Sequence, residues 1–313
     1  MTYRPLPGPR RLKEALWRRL EHRFARREAV EAIRVEIGEE VAGLGQELAR
    51  TAEMLASIQS DIRSLASGLA QVSENQRGLE TRLDQLRVAF DRRIDAALAE
   101  AVRAAEDVTA LTVMLNPDHP LPSLGGWALS PDSARYLVEL VFEMSPRHIL
   151  ECGSGSSTIL MGLAVRGTGA GRVTSLEHDP QYLEITRELV GRHGLTDIVE
   201  LVYAPLTELD VGGRSFHWYD LPAGWLEGRT FDLLVVDGPP STGEMNRYPV
   251  LPMMAGHLSD RAVVFLDDAD RADERRVLEL WQERFPEFDL EVLEHRKGAA
   301  ILRRRPVDRD APV

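Results

Sequence analysis

Apolar residues recur at alternating spacings of three and four between residues 41 and 90, in a stretch that is otherwise polar. Thirteen of the fifteen positions in this seam are apolar. The seam consists of Val41, Leu44, Leu48, Thr51, Leu55, Ile58, Ile62, Leu65, Leu69, Val72, Gln76, Leu79, Leu83, Leu86 and Phe90. A mean period of about 3.5 residues predicts a coiled coil about 75 Å long, which must bury its seam against other helices. The mixture of Leu, Ile and Val is compatible with a parallel assembly of two or three copies.

The heptad phase passes unbroken through the polar run at residues 73–78, where a turn could fold the helix back on itself. This continuity favours a single rod over the folded-back arrangement. Beyond Phe90 the next apolar positions are Ile94 and Leu98, and this spacing of four and four is a stutter that locally unwinds a supercoil. Three prolines within residues 116–122 then end the helix, because proline cannot continue one.

The remainder of the chain alternates apolar, strand-like segments with helical ones. The predicted strands are 148–151, 172–177, 198–203, 232–237, 262–267, 288–294 and 299–303. Strands that alternate with helices indicate a parallel, doubly wound α/β sheet. Only residues 295–298 separate the last two strands, so we expect these two to form a hairpin and the last strand to be antiparallel.

These patterns predict five segments. A basic amphipathic helical segment occupies residues 1–35, the coiled coil 36–115, a linker 116–126, the α/β domain 127–305 and a disordered tail 306–313.

Charge is distributed unevenly along the chain. Residues 1–30 carry a formal +6 and the other residues −18, which together give the net charge of −12. An acidic domain disfavours nucleic-acid binding, because neutralising phosphates requires a basic groove. In contrast, arginines flank an apolar stripe within residues 10–28, where a helix would contact an anionic membrane surface or pack against a partner helix. A single cysteine, no membrane-length apolar run and no signal peptide predict a cytoplasmic protein, with peripheral membrane contact as the alternative.

The first predicted strand of the domain ends at Glu151 and turns through two glycines, Gly153 and Gly155, into a helix that Ser156 could cap. This is how a doubly wound sheet builds a nucleotide pocket. The second strand ends at Glu177, the position of the carboxylate that holds ribose hydroxyls in such folds. Because Glu151 would repel a pyrophosphate and Thr158 replaces the third glycine of a dinucleotide motif, a cationic donor such as S-adenosylmethionine fits better.

Residues from about 127 to 304 resemble the class I S-adenosylmethionine-dependent methyltransferases, which have a Rossmann-like fold. Segments 176–182, 231–240 and 264–268 are similar to those of small-molecule O-methyltransferases that methylate catechols and sugars. The predicted cofactor-binding residues are Glu151, Gly153, Ser154, Gly155, Ser156, Ser157, Glu177, His178, Ala204 and Asp237.

The same resemblance implies a Mg²⁺ site formed by Asp237, Asp267 and Asp268, although helix caps and cofactor contacts without metal are the alternative. The catechol enzymes have a lysine where this chain has Pro240. The general base is therefore either His217 or Asp237, with a packing or surface role as the alternative for His217.

We expect several aromatic residues and one arginine to line the acceptor side, although each could instead serve in packing. They are Trp127, Trp218, Tyr219, Tyr248 and Arg247. The resulting hypothesis is a methyltransferase acting on a hydroxyl of a glycan, glycolipid or secondary metabolite. The alternatives are an oligomeric scaffold or membrane-surface adaptor whose domain binds cofactor without turnover, and a nicotinamide dehydrogenase.

Overall fold

The computed structural model describes residues 27–240 and 244–305. The predicted basic helix before residue 27 and the predicted tail 306–313 lie outside the described residues. The chain divides into two compact units, Met1–Ile94 and Asp95–Val313.

Helix α1 (Arg27–Leu115) is continuous over 89 residues and passes through positions 73–78 without a turn. The prediction of an unbroken helix is confirmed, and it ends one residue before Asn116, as the prolines require. In the first unit the apolar seam side chains from Leu44 to Phe90 are all 47–70% exposed. None of the described helices is both long enough and apolar enough to cross a membrane.

The second unit begins at Asp95, within the predicted stutter, and includes the last turns of α1. Leu111 and Leu115 are buried there in the core of the α/β domain. The compact unit thus begins before the linker at which the sequence placed the domain boundary.

The α/β domain contains nine strands and five further α-helices within the described residues. The strands are β1 (His148–Cys152), β2 (Arg172–Glu177), β3 (Val199–Tyr203), β4 (Leu206–Asp210), β5 (Ser215–Tyr219), β6 (Phe231–Val236), β7 (Leu258–Asp267), β8 (Phe288–Leu293) and β9 (Ala299–Arg304). The helices are α2 (Pro131–Met144), α3 (Ser156–Thr168), α4 (Pro180–Arg192), α5 (Val250–Met254) and α6 (Ala272–Arg284), and a 3₁₀ turn (Ala255–His257) follows α5.

Seven strands form one sheet in the order β3-β2-β1-β6-β7-β9-β8. Strands β1, β2, β3, β6 and β7 are parallel, whereas β9 runs antiparallel to both β7 and β8. The predicted seven-stranded sheet with an antiparallel last strand is confirmed. Its parallel strands end at one edge, which brings the loops after β1, β2, β6 and β7 together.

Both faces of the sheet are covered, because successive residues of a strand point to opposite sides. In β1, Ile149 belongs to the apolar cluster that includes α2 and α3, while Leu150 belongs to the cluster that includes Trp281 of α6. All of these side chains are fully buried. This packing fixes the strand ends from which the candidate site is built.

A two-stranded hairpin of β4 and β5 is the main departure from the predicted strands. It follows β3 and turns at Gly212 and Gly213, both of which have positive φ. Phe216 and Trp218 of β5 are buried, whereas His217 between them is exposed. The hairpin places Tyr219, the last residue of β5, beside the ends of the central strands.

Candidate functional site

The loop after β1 is pressed against the loop after β6. Gly153 has a φ of +95°, and a Cβ built there would lie 3.2 Å from the amide nitrogen of Gly238. The Gly153 amide also donates to the Leu176 carbonyl at 2.9 Å. A side chain at position 153 would therefore be strained and would push the two loops apart.

Helix α3 begins one residue away from the predicted position. Gly155 is the N-cap and Ser156 the first helical residue, so the prediction that Ser156 caps the helix is wrong. The cap is supplied by Thr158, whose Oγ1 accepts from the Gly155 amide at 3.0 Å. Gly155 has an extended φ of 165°, which any residue adopts, and a Cβ there would meet nothing within 4 Å. Position 155 therefore borders open space.

Glu151 is fully buried at the end of β1. Its Oε2 accepts a 2.5 Å hydrogen bond from Thr158, while Oε1 has no hydrogen-bond partner among the described residues. Burial raises the pKa of this carboxyl to about 7, although hydroxyls beside it, including that of the buried Ser157, lower it. The site thus contains an unsatisfied carboxyl oxygen next to the glycine loop.

Glu177, at the end of β2, is saturated with donors. One oxygen accepts from the amide and hydroxyl of Ser154, both at 2.9 Å, and the other from the amides of His178 and Asp179 at 2.8 and 2.9 Å. Burial opposes ionisation, but these hydrogen bonds outweigh it and hold the pKa of Glu177 below its usual range. Glu177 is therefore ionised near neutral pH.

Two further predicted cofactor residues flank Glu177. His178 Nδ1 lies 3.0 Å from its carboxylate, which raises the pKa of His178. The amide of Ala204 donates to the Glu177 carbonyl at 2.8 Å, and the Ala204 side chain is buried. The structure thus places Ala204, at the end of β3, against the end of β2.

Three carboxylates converge at the ends of β6 and β7, as predicted. One oxygen from each of Asp237, Asp267 and Asp268 lies within 4.8 Å of the others. Both side-chain oxygens of Asp267 are buried without a hydrogen-bond partner among the described residues. Burial and then the charge of Asp268 raise the pKa of Asp267 to about 6, and burial followed by Asp267 raises that of Asp237 well above its usual range.

Arg247 lies against this cluster and is 3% exposed. Its guanidinium donates to the main-chain carbonyls of Asp237 and Asp267 at 2.8 and 3.0 Å, which ties the end of β6 to the end of β7. It also lies 3.3 Å from Asp268 Oδ2 and 3.4 Å from Glu274 Oε1. These contacts give Arg247 a structural role in the site, because they hold the acids and the strand ends together.

The remaining acceptor-side candidates separate in the structure. Tyr248 and Trp218 are core residues, whereas Trp127 is 85% exposed. His217, the predicted alternative base, is about half exposed and lies 3.4 Å from Glu244. None of the contacts described for His217 joins it to the three aspartates, so Asp237 is the base candidate that the structure brings into the cluster.

The position of Cys152 agrees with a packing role. It is fully buried, and burial raises the pKa of its thiol far above the usual range. The thiol therefore stays protonated, as expected for a residue that is not a nucleophile.

Residues 150–269 match a protein family described as a methyltransferase domain. This segment contains the glycine loop, Glu177 and all three aspartates. The chain is 30% identical over 147 residues to catechol O-methyltransferase of Mycobacterium tuberculosis (strain ATCC 25618 / H37Rv), covering 46% of this chain and 58% of that protein. It is 39% identical over 62 residues to arginine N(omega)-methyltransferase of Streptomyces achromogenes subsp. streptozoticus, covering 20% of this chain and 17% of that protein.

Among solved structures, the O-methyltransferase from Bacillus cereus in complex with SAH is similar at 20% identity and a TM-score of 0.45. The match covers 65% of this chain and 91% of that one. The chain spans 58% or less of the length of the two curated relatives. The matched segment lies within the domain that the seven-stranded sheet forms, so this part of the chain is similar to methyltransferase domains.

Proposed function

We propose that this chain is an S-adenosylmethionine-dependent methyltransferase that methylates a hydroxyl group of a small molecule or glycan. The observation that carries the proposal is the buried, unpartnered Oε1 of Glu151 beside the glycine loop. A buried acceptor without a partner costs about 1–3 kcal/mol, and a cationic ligand such as the ammonium group of the methyl donor would remove that cost.

The residues at the ends of β1 and β2 match the chemical groups of S-adenosylmethionine. Glu151 lies at the end of β1 for the ammonium group, Gly155 borders open space, and Glu177 lies at the end of β2 for the ribose. A buried acid on each of two adjacent strands favours this cationic donor over a dinucleotide, whose phosphates these acids would repel. The proposal therefore excludes the nicotinamide dehydrogenase.

Methyl transfer from a sulfonium is a direct displacement, in which the acceptor oxygen bonds to the methyl carbon as the carbon–sulfur bond breaks. The contribution of the protein is to hold the reacting atoms in line and to accept one proton. Asp237 is the proposed base, because it is the one of the two candidates that lies in the cluster of carboxylates at the ends of β6 and β7. Arg247 holds Asp237 and Asp267 in register for this step.

We also propose that Asp237, Asp267 and Asp268 bind a divalent cation. The two unpartnered, buried oxygens of Asp267 fit this role, because hard oxygen ligands are what Mg²⁺ prefers. A bound Mg²⁺ would lower the pKa of the acceptor hydroxyl.

A second copy of the chain is the proposed partner of helix α1. The twelve apolar seam side chains from Leu44 to Phe90 are exposed in the single chain, and a coiled coil would bury them.

This seam also favours the alternative function, a scaffold whose domain binds the cofactor without turnover. Transfer of a labelled methyl group to any member of a panel of sugars and phenols would exclude that alternative. We also propose that the chain is located in the cytoplasm.

Titrating S-adenosylhomocysteine into the wild-type protein is expected to give saturable 1:1 binding in a calorimeter. Glu177→Gln should weaken this binding by at least about tenfold, because it removes the charge that orders the loop and receives the ribose. Glu200→Gln is the matched control, since Glu200 is a carboxylate of the adjacent strand β3 that pairs with Arg229. Absence of wild-type binding, or an equal effect of both variants, would refute the cofactor assignment.

Titrating magnesium chloride into metal-free wild-type protein is expected to give a second binding isotherm. Asp267→Asn should weaken it by at least about tenfold, because the variant removes one charged oxygen ligand. If the isotherm is absent in the wild type or unchanged in Asp267→Asn, the three aspartates do not form a metal site.

A further inference from the structure

Tyr219 ends strand β5 of the hairpin and is 3% exposed. Its hydroxyl is buried and has no hydrogen-bond partner among the described residues. Folded proteins pair nearly all such groups, because burying an unpaired hydroxyl costs stability. A hydroxyl without a partner among the described residues is available to a bound ligand.

The position of this hydroxyl indicates which ligand it could contact. A Cβ built on Gly238 would lie 2.6 Å from Tyr219 Oη and 3.1 Å from the Cα of Gly153. The hydroxyl therefore lies where the loop after β1 meets the loop after β6. Glycine at 238 leaves it free of contact, since any side chain there would press on it.

The ring of Tyr219 lies near the residues that follow β2. Its centroid lies 6.4 Å from that of His178, in an edge-on arrangement next to Glu177. Burial, followed by the nearby Cys152 and Glu177, raises the pKa of Tyr219 well above its usual range. The phenol thus stays protonated and can donate a hydrogen bond to an incoming oxygen or nitrogen atom.

We propose that the Tyr219 hydroxyl donates a hydrogen bond to an acceptor atom of bound S-adenosylmethionine, so that the β4–β5 hairpin contributes a cofactor-binding residue. This inference rests on the proposed function and moves Tyr219 from the acceptor side to the cofactor side. Gly153, Glu177, His178 and Gly238, which lie near Tyr219, belong to the strand ends and loops of the proposed donor site.

The test combines calorimetry with S-adenosylhomocysteine and thermal unfolding of the ligand-free protein. Tyr219→Phe is expected to weaken binding roughly five- to tenfold, the effect of losing one hydrogen bond. The same variant should unfold at a temperature equal to or above that of the wild type, because it removes an unpaired buried hydroxyl. A merely structural hydroxyl would not combine weaker binding with undiminished stability.

Tyr136→Phe is the matched control, because the Tyr136 hydroxyl is paired with Arg303 at 3.4 Å and lies on α2, outside the crevice. It should leave the affinity unchanged. If Tyr219→Phe binds as tightly as the wild type, or unfolds at a lower temperature, the inference is overturned. The proposed function stays intact in that case, because the wild-type protein still binds S-adenosylhomocysteine. If the wild type itself fails to bind, the proposed function fails and the inference fails with it.

Discussion

Replacing Arg247 with Met is expected to lower the free energy of unfolding by about 3–5 kcal/mol, the cost of removing one partner from a buried ion cluster. The guanidinium lies among Asp237, Asp268 and Glu274, at 3.8, 3.3 and 3.4 Å, and all three carboxylates would lose their central cation. Two main-chain carbonyls would also lose their donor. Urea unfolding of the full chain at pH 7.5 measures the change.

The destabilisation should shrink at pH 4, where the pKa of Asp237 and that of Glu274, both raised by burial, leave these carboxyls protonated and less dependent on a cation. Arg261→Met is the control, because Arg261 pairs with Asp232 at 3.3 Å but is 56% exposed. We expect it to cost less than about 1 kcal/mol. A loss for Arg247→Met no larger than that of the control would show that the acids do not depend on this arginine.

The full chain is expected to form dimers or trimers of the 35.0 kDa protomer in light scattering, and the double variant Leu65→Asp, Leu69→Asp should be monomeric. Both leucines lie on α1, where Leu65 is 68% exposed and Leu69 is 70% exposed. Burying one leucine contributes about 1.5–3 kcal/mol, and the variant removes two from every copy and adds like charges. The dissociation constant should therefore rise by at least about a thousandfold.

Ser67→Asp with Gln71→Asp is the matched control, since it adds the same two charges four residues apart but off the seam. It should leave the assembly intact. A monomeric wild-type chain would contradict self-association through the seam, and equal dissociation of both double variants would attribute the effect to charge alone.

The sequence predicted the sheet well because each buried strand forms an apolar run bounded by turns. It missed the β4–β5 hairpin, in which only a few side chains, such as Phe216 and Trp218, are buried. The pair Gly212-Gly213 between two alternating segments was the available signal, and it predicts a hairpin turn. The alternation of apolar and polar residues at Phe216, His217 and Trp218 is typical of the strand that follows.

Other features depend on tertiary contacts that no local pattern reveals. Arg247 is distant in sequence from Glu274, and only folding brings its guanidinium to this acid. The start of α3 was misplaced by one residue, because Gly155 and Ser156 are both acceptable N-caps. The sequence predicts that Glu151 contacts the methyl donor. It does not predict that Oε1 of Glu151 is fully buried without a hydrogen-bond partner among the described residues, because this depends on the packing around β1.

The formal net charge of −12 treats every carboxyl as ionised. Burial raises the pKa of Glu151 to about 7 and that of Asp267 to about 6. At neutral pH the folded chain thus keeps protons that an extended chain of the same composition has lost. It carries less negative charge than its amino-acid count implies, and denaturation in unbuffered neutral solution would acidify that solution.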